Sequence, residues 1–334
     1  MQNAERRDNI EKKPLCASTR DIAAKSSRLG VLLCLISTTL FSFSNVFLRQ
    51  LGALGVSHSW TICVKEIFTI SCLTPVIFFL AIRGKYQWPK LKWVGIIFFG
   101  GFCCQYIGAR LHLHAFAVLG LVVSVPLLQA SNMVFAAVLG RGFLGERVGQ
   151  RSRVAMFIML VAMSFLVFGP NKPDTEQSTQ TIARNVLLLA GIGTVVAGFA
   201  YSIHVVLMRW ASNGREMPIT FLAVQITGIG AVIFGCEFLR DNGWQISAFW
   251  KDITPQVWRL IVLTGFFNMA AFLFQITGLR YTMVARAQMI GVAQIVIGTL
   301  FGVFFFQELT NAMIWLGVSL TVLGIYFVST PGKK

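Results

Sequence analysis

The chain has 334 residues, 55% of them hydrophobic and 13% charged, with a formal net charge of +16. A soluble domain carries about 25% charged residues, so a soluble globular fold is excluded and a polytopic membrane protein is expected. The basic excess would suit a nucleic-acid binder, but its distribution along the chain argues for membrane orientation instead.

Residues 1–28 are polar and mixed in charge, and the first apolar run is too long for a signal-peptide core. They are read as a disordered cytosolic arm. Apolar runs then recur along the whole length, near 29–48, 60–82, 93–117, 120–140, 154–169, 185–208, 218–239, 257–279, 283–306 and 312–329. Each is close to the span of a bilayer. They lack the alternation a membrane barrel requires, so they are helices, which satisfy their own backbone polar groups. The expected fold class is an all-α integral membrane protein of ten transmembrane helices. The expected division is a first set of five over 29–170, an extracytoplasmic linker over 171–184, and a second set over 185–330.

The second helix carries the stretch TICVKEIFTI, residues 61–70, where Lys65 and Glu66 interrupt an otherwise apolar or weakly polar run. Lys65 lies about 7 Å past Trp60 along the helix. Burying such a charge costs roughly 2.5–3.5 kcal/mol unless a partner, water or an anion offsets it. Neighbouring residues diverge by about 100° on a helix, so Lys65 and Glu66 are not expected to pair with each other. Two readings stay open: the pair lines a polar path, or Lys65 snorkels to the headgroups.

The third helix contains QYIGARLHLHAFA, residues 105–117. Tyr106, Arg110 and His114 are four apart and share one face. Glu66 is expected to pair with Arg110 and the rest of the stripe to form a basic outer vestibule; a cluster of helix-end polar groups is the plainer alternative. His112 points elsewhere, and alternate histidines on a helix diverge, so no metal site is expected. The fourth helix places Asn132 within the span and ends at Glu146. The sixth offers Ser202 and His204, the seventh Gln225, and the eighth a loose polar stripe of Thr264, Asn268 and Gln275. Gln294 lies inside the ninth, Arg286 snorkels near its start, and Glu308 closes it. Glu146 and Glu308 are read as helix-end anchors rather than gates.

Most of the 29 Lys and Arg fall on the side that carries the N-terminus once ten spans are drawn. That bias predicts both termini in the cytosol and a multi-pass protein of the cell membrane. All 8 Trp lie at or near predicted helix ends, the depth that indole rings prefer. The 7 Cys form no CxxC pair and are read as small apolar residues. No phosphate-binding GxxxxGK[ST] loop is present, so ATP-driven transport is not expected. No cofactor, metal or nucleic-acid partner is expected.

The two halves resemble each other. LGERVGQRSRVAMFIMLVAMSFLVFGP (144–170) lies over FQELTNAMIWLGVSLTVLGIYFVSTP (306–331), so that Glu146 matches Glu308 at an offset of 162. The same offset matches Ala155 to Gly317, Ala162 to Gly324 and Asn132 to Gln294. Upstream, Gly100 pairs with Gly265, Ser42 and Arg49 with Ser202 and Arg209, and Lys65 with Gln225. Five helices per half mean that the second half enters from the opposite side. Such an inverted repeat is typical of secondary transporters, with the site near midplane between the halves.

On LGE at 144–146, QE at 307–308, GLRYT at 278–282 and LGVSLTVLG at 316–324, the chain resembles the drug/metabolite transporter superfamily, in its EamA-type branch of ten-helix proteins. The resemblance covers roughly 29–330. It implies a small-molecule transporter rather than an enzyme, with a basic residue on helix two at about the place of Lys65. It implies export, with amino acids, nucleotide-linked metabolites or drugs as substrate classes. The expected function is therefore secondary transport of a small metabolite by alternating access, coupled to protons if Glu66, His114 or His204 titrates. The basic outer stripe favours an anionic substrate. The contrasting readings are a membrane enzyme acting on lipid-borne substrates, with His112 or His114 as base, and a non-transporting scaffold.

Overall fold

The computed structural model describes residues 15–168, 184–212, 217–250, 253–306 and 311–329. Among them every long element is a helix. In chain order these are α1 (Leu15–Ala53), α2 (His58–Ile82), α3 (Leu91–Phe102), a π-helical turn (Cys103–Ala109), α4 (Arg110–Leu144) and α5 (Gln150–Phe168). The second half has α6 (Arg184–Ser212), α7 (Ile219–Asp241), α8 (Pro255–Tyr281), α9 (Val284–Gly291), α10 (Ala293–Phe306) and α11 (Ala312–Ser329). A short 3-10 turn, Ile246–Trp250, precedes α8. The linker expected at 171–184 lies outside the described residues up to Arg184, where α6 begins. Of the arm expected to be disordered, residues 1–14 lie outside them too, and helix starts at Leu15, earlier than expected.

Nine segments of the described chain are long and apolar enough to cross a membrane, among them Leu91–Ala115, Val123–Leu144 and Val284–Phe301. The remaining long helix is α5, which opens with Arg151 and Arg153 before its apolar run. Helical turns of backbone follow one another from Arg110 to Leu144, through the place near 118 where a turn is expected. The chain nevertheless doubles back there. A Cβ built on Gly108 lies 3.6 Å from the Ala197 carbonyl, and one on Gly198 lies 3.0 Å from the Leu128 carbonyl. Residues 108 and 128 would stand about 30 Å apart on a straight helix. They instead meet adjacent residues of α6, so the two limbs run along it in opposite senses. Pro126, inside α4, removes one helical donor in the returning limb. At the far end Gly145 takes a left-handed conformation, φ 67°, which stops α4.

The packing of helices obeys the repeat. Exchanging each helix of the first half for its counterpart in the second reproduces the main helix pairs, while α6 and α7 also touch α8 without a comparable contact in the other half. Thus α1 packs on α8 as α6 packs on α3 and the π turn, α2 packs on α8 as α7 packs on α3, and α4 packs on α6 as α10 packs on α1. The pairs α2–α7, α5–α11 and α4–α9 are each their own mirror. Small residues explain one of them. Ala155 and Ala162 are fully buried in α5, and Gly324 of α11 comes so close that a Cβ there would lie 2.7 Å from Met159 Cγ. Small residues let helix backbones approach where lipid supplies no hydrophobic drive.

Candidate functional site

Where α2, the π turn, α7 and α8 converge, polar groups collect in the bundle interior. Lys65 turns inward rather than snorkelling: its Nζ donates to Asn268 Oδ1 of α8 at 3.4 Å. Contrary to expectation, it also pairs with Glu66 at 3.1 Å. The divergence of neighbouring residues separates their Cβ atoms, but the four-carbon stem of lysine spans the gap. The side chains are 12% and 2% exposed, so the pair sits almost wholly out of water.

Glycines make room for the cluster. A Cβ on Gly230 of α7 would lie 2.8 Å from Gln105 Nε2 and 3.3 Å from Glu66 Cγ, and one on Gly101 would lie 2.9 Å from Gln225 Nε2. Gln105 donates to the Ile226 carbonyl at 3.4 Å, and Gln225 donates to the Ile97 carbonyl at 3.2 Å. Three buried atoms then have no protein partner: Glu66 Oε2, Asn268 Nδ2 and Gln225 Oε1. Buried polar atoms are nearly always hydrogen-bonded. Two acceptors and a donor left unmet in the bundle interior can hold a polar solute or water. A buried ion pair with unmet lone pairs is also costly to keep.

The π turn decides which face of the third span looks inward. Cys103, Cys104, Gln105 and Gly108 are buried, and His112 lies edge-on to Tyr201 with ring centroids 6.4 Å apart. The stripe Tyr106, Arg110 and His114 does share one face, but that face is outward. Tyr106 is 43% exposed and stacks on Phe102, and His114 is exposed. Arg110 pairs with Glu237 of α7 at 2.8 Å, not with Glu66. Glu237 went unremarked in the sequence because it reads as one more polar residue at a helix end.

Of the other expected residues, Asn132 donates to Gln288 Oε1 at 2.8 Å, joining α4 to α9 just before the break at Gly291. Gln288 occupies the place that the 162-residue offset assigns opposite Pro126, and only that correspondence would have flagged it. Ser202 is buried and bonds the Phe199 carbonyl of its own helix. His204 is buried behind Gly100. Gln275 and Gln294 are half-buried and stand apart from the cluster.

Glu146 does more than end a helix. Its Oε1 accepts from Arg209 Nε at 3.1 Å and its Oε2 from the Val284 N–H at 2.8 Å. Arg209 also donates to the Leu279 carbonyl. One carboxylate thus ties the ends of α4, α6 and α8 to the start of α9. Glu308, its counterpart in the repeat, lies outside the described residues. Among the described residues no group of three or more His, Cys, Asp or Glu is placed to hold a metal ion.

Residues 188–330 match the EamA-like transporter family. A solved crystal structure shares the fold at a TM-score of 0.66 and 14% identity, over 89% of this chain and 95% of that one. At that identity the likeness is of fold alone. No curated protein matches the chain.

Proposed function

We propose, on the match of residues 188–330 to the EamA-like transporter family, that the chain is a member of the drug/metabolite transporter superfamily and exports a small anionic metabolite by alternating access of its two halves. The match to the EamA-like transporter family and nine described segments long and apolar enough to cross a membrane support a multi-pass membrane transporter of small molecules. The finer reading rests on one observation: Lys65, buried at the meeting of α2 and α8, beside three polar atoms without protein partners. An anion that takes Lys65 displaces Glu66 from its counter-charge. Glu66 is therefore the group proposed to carry a coupled proton, which would then move together with the anion. Each state of the cycle opens the cluster to one side while helix-end contacts close the other. Glu146 with Arg209 is proposed as the closure at the end read as cytosolic, and Arg110 with Glu237 as the closure at the other.

The test is a thermal-stability screen of purified protein and Lys65→Gln against metabolites of each charge class, at two pH values. A ligand that binds the folded state raises apparent stability by mass action. The proposal expects an anionic hit that Lys65→Gln loses. A cationic or neutral hit that the substitution leaves unchanged would remove Lys65 from the site.

A further inference from the structure

A second polar site lies apart from the Lys65 cluster, at the end where α2, α6 and α8 finish and α7 begins. There a cleft of about 450 Å³ is lined by Lys85, Tyr86, Ser212, Ile219, Thr220 and Arg280, among others. That volume lies within the range of about 300–1,000 Å³ typical of ligand pockets. Lys65 is fifteen residues up α2 from Leu80 on the cleft wall, about 22 Å along the helix.

Every strong feature of this cleft favours negative charge. Lys85 and Arg280 are cations, and among the described residues that line it none is acidic. Arg280 is held in place by donating Nη2 to the Met217 carbonyl at 2.7 Å, and its buried Nε–H has no partner. The first turn of α7 opens into the cleft behind Pro218, with no side chain capping its N–H groups. A helix start with free N–H groups attracts anions. The independent sign of a ligand is Tyr86. It is 8% exposed and lines the cleft, and its hydroxyl, which leans toward the Thr220 side chain, meets no partner in full hydrogen-bonding geometry. Burial pushes the phenol above its ordinary value, partly offset by nearby Thr220, so it remains a donor. A buried hydroxyl without a partner costs free energy unless something fills the place.

We propose that this cleft binds a phosphate group, with Lys85, Arg280, the Tyr86 hydroxyl and the α7 N-terminus as its donors. The phosphate belongs either to a soluble monoester or to a lipid headgroup, since the cleft lies at a membrane-facing helix end. The site does not depend on the role given to Lys65.

The experiment uses the full chain in two settings. In detergent, inorganic phosphate and glycerol phosphate are titrated while the unfolding midpoint is followed, against chloride at matched ionic strength. In nanodiscs of phosphatidylcholine, the midpoint is followed as phosphatidic acid is added. Tyr86→Phe and Lys85→Gln are compared with Lys92→Gln, which removes an equal charge at the same end without touching the cleft. A saturable rise is expected, shifted about tenfold or more to higher concentration by each cleft variant, as loss of a hydrogen bond to a charged group implies, and unmoved by Lys92→Gln. Saturation by the soluble phosphates assigns the monoester; saturation by phosphatidic acid alone assigns the lipid. Absence of saturation in both settings, or an equal response in all three variants, overturns the site. Tyr86→Phe keeps the ring and its packing, so a folded variant is available for the comparison.

Discussion

Substituting Gly198 by alanine tests the closest approach between the halves. A methyl group there would lie 2.5 Å from Ser131 Cβ, 2.9 Å from the Asn132 nitrogen and 3.0 Å from the Leu128 carbonyl oxygen. Carbon contacts are comfortable from about 3.5 Å, so α4 must retreat by about 1 Å. Two of the three opposing atoms are backbone and have no rotamer to yield. Overpacking of this kind costs about 1–3 kcal/mol. Alanine regains up to about 1 kcal/mol of helix propensity over glycine, leaving a net loss of up to about 2 kcal/mol. Gly191 is the internal control: it lies on the same helix with nothing within 4 Å of a built Cβ. Gly191→Ala therefore carries the propensity gain alone. The assay is the thermal unfolding midpoint of each purified variant, read by tryptophan fluorescence. Gly198→Ala should melt below wild type and Gly191→Ala at or slightly above it. If Gly198→Ala melted as high as Gly191→Ala, the close approach of α4 and α6 would be refuted.

The brace at Glu146 predicts a coupling of about 1–2 kcal/mol in a double-mutant cycle of Glu146→Gln with Arg209→Gln, because contacting, largely buried partners are not additive. A cycle that closes to within about 0.3 kcal/mol would contradict it. Arg110→Gln should cost less than about 1 kcal/mol of stability, since that pair is about a third exposed on the arginine side and screened by solvent; a midpoint drop as large as that of Gly198→Ala would show the pair to be structural. Gly230→Ala drives a methyl into Gln105 and Glu66 and should impair ligand binding, whereas Gly228→Ala, with open space around it, should be silent. Equal binding by the two would argue against a role for the cluster.

The spans were legible because lipid demands long apolar runs, and the repeat because an ungapped offset carries Asn132 to Gln294 and Glu146 to Glu308. The offset that matches Ala155 to Gly317 and Ala162 to Gly324 does not say which helices meet, and the structure packs α5 on α11 there. What periodicity could not supply was phase. Tyr106, Arg110 and His114 share a face by simple counting, but the π turn through Cys103–Ala109 and the neighbours of the third span decide that it looks outward. Gln105, one residue before the stripe, is the one that reaches the cluster. Partner choice was equally hidden. Which carboxylate meets Arg110 depends on how α7 lies against the third span, and Lys65 meets Glu66 through stem flexibility that a helical wheel ignores. Glu146 looked like a plain helix end because the Val284 N–H it caps is 138 residues away.

The central claim is that Lys65 contacts the transported anion. The direct measurement is flux of an anion identified by the stability screen, in proteoliposomes, with wild type, Lys65→Gln and Lys85→Gln side by side. Wild type is expected to show saturable flux that Lys65→Gln abolishes at unchanged protein insertion, while Lys85→Gln, outside the cluster, still carries the anion across. Wild-type flux that survives in Lys65→Gln would contradict it.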